Sequence, residues 1–422
     1  MRGRRLFVDV TPLRASAQFR RLWGGYLVSS VGTQLTVVAV PYQIFRLTHS
    51  SLDVGLIGLV QIVPVLGGAL VGGAIADALD RRTVLMFSQT LLSFCSIGLL
   101  VNALSPHPLI WPLYVCAAGI GGLASVDGST RTAVFANLVD RRMLPAANSL
   151  WQLLFQVGQV AGPAVGGVLI GRIGVASAYA VDAATFAVSL SAVVSLGRLV
   201  PLEGGTPFGW ESIKEGLRFI RGRKELQGAF VIDLDAMILG MPRALFPAIG
   251  LVRFRGGAQT VGLLYSAPGV GALLGAALTG WVSSVRRQGR AVLISVALWG
   301  LSIAAFGMVP WLAPALVLLG VAGAADVVSA VFRGTILQTA TPDSLRGRLS
   351  ALHTAVVTGG PRLGDVEAGA VAALAGVEAS VVSGGLGCLA GVVVVRWLMP
   401  RFAGYVAPAP DVPEAEPGLE PA

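Results

Sequence analysis

Charged side chains interrupt several long apolar stretches of this sequence, and these residues are the first candidates for chemistry. Four carboxylates stand well inside such stretches, namely Asp127, Asp233, Asp235 and Asp326. A charge at the centre of a bilayer costs about 2.5–3.5 kcal/mol on insertion scales, so an acid there is a functional candidate by default. A carboxyl group removed from water can also hold a proton near neutral pH. We therefore expect proton coupling at one of these four acids, and the sequence does not choose among them.

Three arginines also lie inside apolar stretches, where they could meet an anionic group of a ligand. They are Arg131, Arg243 and Arg362. Arg131 follows Asp127 by four positions, so the two side chains can pair on one face of a helix. A structural ion pair and a role in binding or coupling both remain open for Asp127 and Arg131.

A further group of polar residues is expected to line a central cavity. Asp365 and Glu367 closely follow Gly360 and Pro361, and this glycine–proline pair is expected to break a helix. Broken helices in membrane proteins tend to line cavities. Gln34, the most polar residue in the middle of the first apolar stretch, is a candidate for the same cavity.

The composition shows which elements must position these residues. The chain has 422 residues, of which 54% are hydrophobic and only 13% are charged, and the charged share is about half that of a soluble domain. Its mean hydropathy is +0.75. Stretches of about 20 apolar residues, long enough to cross a hydrocarbon core of about 30 Å, recur along nearly the whole sequence. The sequence predicts an all-α polytopic membrane protein with twelve spans, at 22–46, 54–76, 83–104, 109–136, 147–171, 175–197, 225–251, 259–283, 290–309, 312–335, 347–373 and 377–399.

Most of the 31 lysines and arginines lie in every second connection between spans. This asymmetry predicts that both termini are cytosolic, and it argues against nucleic acid as the partner of a chain with net charge +9. The longest polar connector then divides two bundles of six helices. We predict bundles at 1–197 and 225–400, a cytosolic linker with an amphipathic helix at 198–224, and a disordered Pro- and Glu-rich tail at 401–422.

The two halves carry related residues at equivalent positions. Asp127 in span 4 corresponds to Asp326 in span 10, and Gly162-Pro163 in span 5 corresponds to Gly360-Pro361 in span 11. Two six-helix halves related in this way are typical of one large class of secondary transporters. The correspondence suggests that both aspartates face the interior.

Span 5 is unusually rich in glycine. Gly158, Gly162 and Gly166 recur at four-residue spacing, and Pro163 follows the second of them. This spacing allows close helix packing, and the proline can kink the helix. Ordinary glycine-rich packing would give the same pattern.

A short polar segment between spans 2 and 3, GGAIADALDRR, resembles the loop motif of the major facilitator superfamily. Gly73, Asp77, Arg81 and Arg82 match that motif, whereas Ala78 and Asp80 depart from it. In the family this loop is thought to lock the outward-facing state, so the resemblance implies a gating role for the matching residues. A capped turn with positive-inside arginines would be the simpler explanation.

The resemblance extends over nearly the whole chain. VAVPYQIFRLTHSSLDVGL (38–56), VGGAIADALDRR and LQTATPDSLRGRLSAL (337–352) are similar to the enterobactin-exporter branch of the superfamily. The glycine run of span 5 resembles the antiporter motif of exporters. The resemblance implies a proton-driven exporter of a siderophore-like small molecule in the cell membrane; the alternative is a macrolide or multidrug efflux pump of the same fold.

Other classes of protein find little support in the sequence. No Gly-Lys dipeptide occurs, so a P-loop for ATP is excluded and a gradient has to supply the energy. The three histidines, His49, His107 and His353, lie far apart, and no catalytic or metal-ligand pattern is present. We expect a monomeric transporter rather than an enzyme, with no cofactor or metal, whose partners are its substrate, protons and lipid.

Overall fold

The computed structural model describes residues 9–197 and 210–407. The start of the chain, the first part of the predicted linker and most of the predicted tail (1–8, 198–209 and 408–422) lie outside the described residues.

Helices account for nearly all of the described chain, because long apolar segments satisfy their backbone groups internally only as helices or barrels. In the first half they are α1 (Thr11–Ala15), α2 (Ala17–Thr48), α3 (Ser51–Ala78), α4 (Arg81–Leu104), α5 (Trp111–Asn137), α6 (Leu144–Ile173) and α7 (Val175–Val194). In the second half they are α8 (Trp210–Ile220), α9 (Lys224–Leu239), α10 (Phe246–Ala248), α11 (Gly257–Ala277), α12 (Gln288–Met308), α13 (Leu312–Thr339), α14 (Asp343–Ala375), α15 (Val377–Leu398) and α16 (Pro400–Ala403).

Nine helices within 9–197 and 210–407 are long and apolar enough to cross a membrane. The other three predicted spans are helical too, but α5 and α14 carry charged residues in mid-helix and the seventh span is interrupted. The prediction of an all-helical polytopic fold is confirmed.

The long helices pack as two bundles. Helices α2 to α7 contact one another in the first bundle, and α9 and α11 to α15 contact one another in the second. Each bundle has its own apolar core, with Leu85 and Val193 buried in the first, and Ile303 and Phe306 buried in the second. Contact between the bundles runs mainly through α3 against α14 and α6 against α11.

Successive long helices run in opposite directions, so their connections alternate between two faces of the protein. We call one the basic face; it carries the starts of α4, α6 and α14, with Arg81, Arg141 and Arg346. The opposite side, the distal face, carries the connections at 105–110 and at Gly174. By the charge rule, the basic face is the predicted cytosolic face.

Glycines bring the two bundles into backbone contact in the distal half of the interface. A Cβ atom on Gly262 of α11 would lie 2.5 Å from the carbonyl oxygen of Pro163 of α6, so a larger residue does not fit there. A Cβ atom on Gly58 of α3 would collide with the carbonyl oxygen of Arg362 of α14. Toward the basic face, by contrast, Gln152 is exposed, although it lies on the same side of α6 as Gln159 and Pro163. The space between the bundles is therefore closed on its distal side and open toward the basic face.

The seventh span is broken, contrary to the continuous helix predicted at 225–251. Helix α9 ends at Leu239, and after Gly240 the chain resumes at Arg243 as a short helical segment that ends at Arg253 as a π-helix. The Trp299 Nε1–H group donates a hydrogen bond of 2.7 Å to the carbonyl oxygen of Gly240. This side chain supplies a partner that the interrupted helix cannot provide.

Span 11, which was expected to break, is continuous instead. Helix α14 runs from Asp343 to Ala375 and contains Gly360 and Pro361 in its interior. Proline removes one donor, and transmembrane helices tolerate that loss where neighbours support the backbone. The predicted break at Gly360-Pro361 is wrong, and the interruption lies in the seventh span.

The amphipathic segment forms helix α8, packed against α14. Ile220 is buried with Leu349 and Leu352 of α14, and Arg348 forms an ion pair of 3.0 Å with Glu215. The side chains of its first turns lie outside the described residues, and Leu217 is exposed.

Glycine contact across the interface predicts a difference between two alanine substitutions on α3. Gly58→Ala should destabilise this conformation by about 1–3 kcal/mol, because its Cβ atom meets the α14 backbone. Gly67→Ala is the matched control, since a Cβ atom there meets nothing within 4 Å. Thermal unfolding in detergent and the accessibility of single cysteines at the distal face measure both effects. Equal behaviour of the two variants would contradict a close-packed interface at Gly58.

Candidate functional site

A cavity of about 420 Å³ lies between the two bundles. Helices α2, α3, α5 and α6 supply one wall, and the broken seventh span, α11 and α14 supply the other. Its polar lining residues are Thr33, Gln34, Thr36, Gln61, Ser125, Gln159, Arg243, Tyr265, Arg362 and Asp365. We call it the main cavity; it combines several hydrogen-bonding groups with two arginines and one carboxylate.

The charges of the main cavity all come from the second bundle. Arg243 stands in the turn after the helix break, and its carbonyl oxygen accepts a hydrogen bond of 3.0 Å from the Tyr265 hydroxyl. Arg362 and Asp365 lie on consecutive turns of α14, and Asp365 interacts with both arginines and with the backbone of Ala244. Two cations around one carboxylate leave this wall with an excess of positive charge, suited to an anionic group.

Glutamines mark the first-bundle side of the main cavity. The Gln34 Nε2 group of α2 donates a hydrogen bond of 2.5 Å to Oε1 of Gln159 on α6. A Cβ atom on Gly162, one turn from Gln159, would collide with Cβ of Gln34. The close packing of α2 on α6 therefore depends on glycine and sets the position of Gln34.

The other small residues picked out from the sequence also lie in helix contacts. Gly158 and Gly166 of α6 face Ser30 and Leu35 of α2. Pro361 lines the main cavity, and Gly360 faces Met237 of α9. These glycines act by permitting close approach.

A smaller cavity of about 220 Å³ adjoins the main one and shares Gln159, Arg243 and Tyr265 with it. Asp326 of α13 lines this side cavity. Its side chain is 41% exposed, and its Oδ1 atom lies 3.9 Å from Nη2 of Arg333. Among the four acids that the sequence suggested for proton coupling, Asp326 therefore has the freest access to the space between the bundles.

Asp127 and Arg131 form a buried pair inside the first bundle. Arg131 donates from Nη2 at 2.7 Å and from Nε at 2.9 Å to Oδ2 of Asp127, while Ser88 of α4 donates to Oδ1 at 3.0 Å. The guanidinium also stacks over the Tyr26 ring at 4.1 Å. Only 1% of the Arg131 side chain is exposed and it lines neither central cavity, so this structure does not bring it to the expected substrate cavity.

The second bundle contains a corresponding buried pair with different partners. Arg333 of α13 lies 2.8 Å from Oδ1 of Asp233 on α9, and both side chains are almost completely buried. His353 of α14 lies 3.7 Å from the other carboxylate oxygen. Arg333 lies near the end of the predicted span 312–335, and the structure buries it in the bundle, where it compensates Asp233.

Two further candidate acids lie away from the cavities. Asp235 faces α15, where a Cβ atom on Gly391 would collide with its carboxylate. Glu367 lines neither the main cavity nor the side cavity. The two-residue separation of Asp233 and Asp235 does send them to different helix neighbours, as their spacing predicts.

The structure describes part of the loop motif between α3 and α4. Asp80 accepts a hydrogen bond of 3.1 Å from the Arg82 backbone and so caps α4, while the Arg82 side chain donates to the last turn of α7 at the carbonyl of Val194, at 2.8 Å. Arg81 is buried at the start of α4, and Gly73 lies within α3. The side chain of Asp77 lies outside the described residues, so its gating role stays a prediction.

Sequence reasoning missed one buried acid, Asp182 of α7. It accepts hydrogen bonds from Thr36 of α2 at 2.6 Å and from Ser96 of α4 at 2.7 Å. It stands in the middle of a predicted span, so the charge criterion that selected the other acids would have selected this one as well.

Comparison with known proteins decides the family. Residues 8–415 match the model of the transmembrane secretion effector family, a branch of the major facilitator superfamily. The chain belongs to this family. It is 29% identical to the enterobactin exporter EntS of Citrobacter koseri over 97% of this chain and 98% of that protein. It is 30% identical to EntS of Shigella boydii, over 90% of this chain and 92% of that one.

Solved structures show the same fold at low sequence identity. A bacterial homologue of the human lysosomal transporter Spinster, in an inward-facing and unoccupied conformation, superposes with a TM-score of 0.71 at 14% identity, over 95% of this chain and all of that one. The nucleoside transporter NupG gives a TM-score of 0.68 at 14% identity, over 91% of this chain and 98% of that one. The resemblance to the major facilitator superfamily is confirmed, and this family member is a multi-pass transport protein.

The buried pair of the first bundle predicts that replacing one partner destabilises the protein more than replacing both. Arg131→Met should lower the free energy of unfolding by about 3–5 kcal/mol, because it leaves the Asp127 charge buried without a cation. The double variant Asp127→Leu/Arg131→Met should recover most of that loss, since no charge is then left alone.

Thermal unfolding in detergent measures both variants, with Glu378→Gln as the control. Glu378 pairs with Arg253 at 3.4 Å and its side chain is 69% exposed, so its loss should cost less than about 1 kcal/mol. A double variant as unstable as Arg131→Met would contradict a mainly compensating role for the pair.

Proposed function

We propose that this protein is a monomeric secondary active exporter of the cell membrane that moves an anionic, siderophore-like small molecule outward in exchange for protons. The observation that carries the proposal is the main cavity, where Arg243 and Arg362 face the space between two bundles that is closed on the distal side. The predicted topology makes the open side cytosolic, so the structure corresponds to the state in which an exporter takes up its substrate.

The lining of the cavity supports the proposed substrate class. Arginine presents several donors in a fixed plane and suits the paired oxygens of catecholates or carboxylates. Gln34, Gln61 and Gln159 add neutral donors and acceptors that fix the orientation of a ligand. Two relatives that align with nearly the whole chain are enterobactin exporters, which supports a catecholate siderophore in this position.

The energy source is proposed from the acids and from the sequence. With no P-loop motif in the chain, a gradient has to drive uphill export. Of the four acids first proposed for coupling, Asp127 and Asp233 each hold an arginine at 2.7–2.8 Å and are therefore engaged in buried ion pairs. Asp326 is the member of that group that borders a central cavity.

A macrolide or multidrug efflux pump is the second candidate function. The observation that favours it is the apolar part of the main cavity, where Val37, Val40, Pro41 and Ile57 offer a surface for a bulky lipophilic compound. Transport by such a pump should depend little on the two cavity arginines.

Transport into inside-out vesicles separates the two candidates. With a proton gradient, vesicles that contain this protein should accumulate enterobactin, and a protonophore should abolish the accumulation. A macrolide tested in parallel should enter far more slowly. Preference for the macrolide would make the protein a drug pump, and accumulation that ignores the gradient would remove the proton-antiport assignment.

The proposed contact between the cavity arginines and an anionic substrate predicts a second result in the same vesicles. Arg243→Gln and Arg362→Gln should each weaken enterobactin transport about 10-fold to 100-fold in kcat/KM, as expected for the loss of a hydrogen bond to a charged group. Arg253→Gln at the distal surface is the matched control and should leave transport unchanged. Full activity of both cavity variants would overturn the anionic-substrate assignment.

A further inference from the structure

Asp182 lies near the middle of α7 and is almost completely enclosed. It follows Val175 by seven positions in a helix of 20 residues, about 10 Å along an axis of about 30 Å. Its exposed fraction is 1%, compared with 41% for the Asp326 side chain at the side cavity. An acid at this depth requires a compensating arrangement or a neutral form.

The hydrogen bonds around Asp182 are unevenly distributed. The hydroxyls of Thr36 and Ser96 both donate to Oδ2, at 2.6 and 2.7 Å. The other oxygen, Oδ1, is buried and has no hydrogen-bond partner in the structure. A Cβ atom on Gly32 would lie 2.9 Å from Oδ1, so this oxygen faces the backbone of α2.

No cation compensates this carboxylate among the residues that the structure describes. Helices α2, α4 and α6 pack against α7, and their charged residues all stand toward the helix ends. The titratable groups on this side are Tyr179 of α7, whose hydroxyl donates to Gln43 at 2.8 Å, and Cys116 of α5, which lies near Tyr179; neither is a cation. The charged residues of α2, α4 and α6 are Arg20, Arg21, Arg46, Arg81, Arg82 and Arg172.

This environment differs from that of the other buried acids. Asp127 and Asp233 each have a guanidinium within 3 Å, which balances the negative charge. Two neutral hydroxyls on a single oxygen cannot do so, and an isolated buried carboxylate takes up a proton instead. The geometry suits a carboxylic acid in which Oδ2 accepts both hydrogen bonds and Oδ1 carries the hydrogen.

A single residue separates this acid from the central cavity. Thr36, which donates to Asp182, also lines the main cavity, so this one residue lies between the carboxyl group and the cavity. Release requires the carboxyl group to turn so that its O–H points to the Thr36 oxygen; this hydroxyl then accepts the proton and passes its own hydrogen to the cavity side.

We propose that Asp182 holds the coupled proton and exchanges it with the main cavity through Thr36. The proposal rests on the proton antiport proposed above and names a carrier for it outside the four acids selected from the sequence. Asp182 binds the proton in one conformation and releases it to cavity water in the other, while Asp127 and Asp233 keep their arginines throughout the cycle.

The test uses the full chain reconstituted in proteoliposomes, with enterobactin as the probe. Asp182→Asn keeps the shape and both hydroxyl contacts but cannot release a proton. We expect it to lose gradient-driven accumulation by at least 10-fold while it keeps enterobactin exchange across the membrane without a gradient. Thr36→Val should slow accumulation at a given gradient, and Thr36→Ser should restore it.

Thr185→Val is the matched control for Thr36→Val. Thr185 lies one turn from Asp182 but donates only to the Asp182 backbone carbonyl, at 2.7 Å. This variant should accumulate enterobactin like the unmodified protein. Gradient-driven accumulation by Asp182→Asn at the unmodified level would overturn the proposal.

Infrared difference spectra on a change of pH separate this proposal from the proposed function. The unmodified protein should show the carbonyl band of protonated carboxyl groups, and Asp182→Asn should lose one component of it. If transport by the unmodified protein does not depend on the gradient but the Asp182 component of the band is present, the proton-antiport assignment fails while the protonated state of Asp182 is supported. If Asp182→Asn keeps the whole band, Asp182 is not the proton carrier, whatever the transport result.

Discussion

The constraint on which the rest of this structure depends is that charge inside the membrane has to be compensated where it lies, because hydrocarbon cannot solvate it. The protein meets this constraint in three ways. Asp127 and Asp233 are each paired with a buried arginine. Arg243, Arg362 and Asp365 share a cavity between the bundles. Asp182 has only hydroxyl donors and is best accommodated as the neutral acid.

The buried pairs and the cavity charges have different roles in the transporter. The two buried pairs lie inside their own bundles, so they can stay intact when one bundle moves against the other. The cavity charges lie where the bundles face each other and are free to meet a ligand. The proposed proton site at Asp182 and the proposed substrate site in the main cavity therefore lie on either side of α2, with Thr36 between them.

The sequence predicted the helical architecture well because length, apolarity and charge asymmetry act locally along the chain. It also predicted that Asp127 and Arg131 could pair, since four residues make one turn of a single helix. It failed where the partner comes from another helix: the Arg333–Asp233 pair joins α13 to α9, and no spacing along the chain encodes it. The helix break was misplaced although Gly240 and Pro242 mark its position in the sequence; the hydrogen-bond donor that supports the interrupted backbone, Trp299, comes from α12 and could not be predicted from the seventh span.

The glycine contacts at the distal side have a consequence for the switch between conformations. Among the described residues, backbone atoms of α3 and α6 meet those of α14 and α11 there, and the polar side-chain contact that crosses is the Ser266 hydroxyl on the Val160 carbonyl, at 3.0 Å. Dispersion contacts of this kind act only at short range, and they carry no charge that dissolved ions could screen. The balance between the two conformations should then respond to the thickness and lateral pressure of the bilayer, and hardly at all to ionic strength.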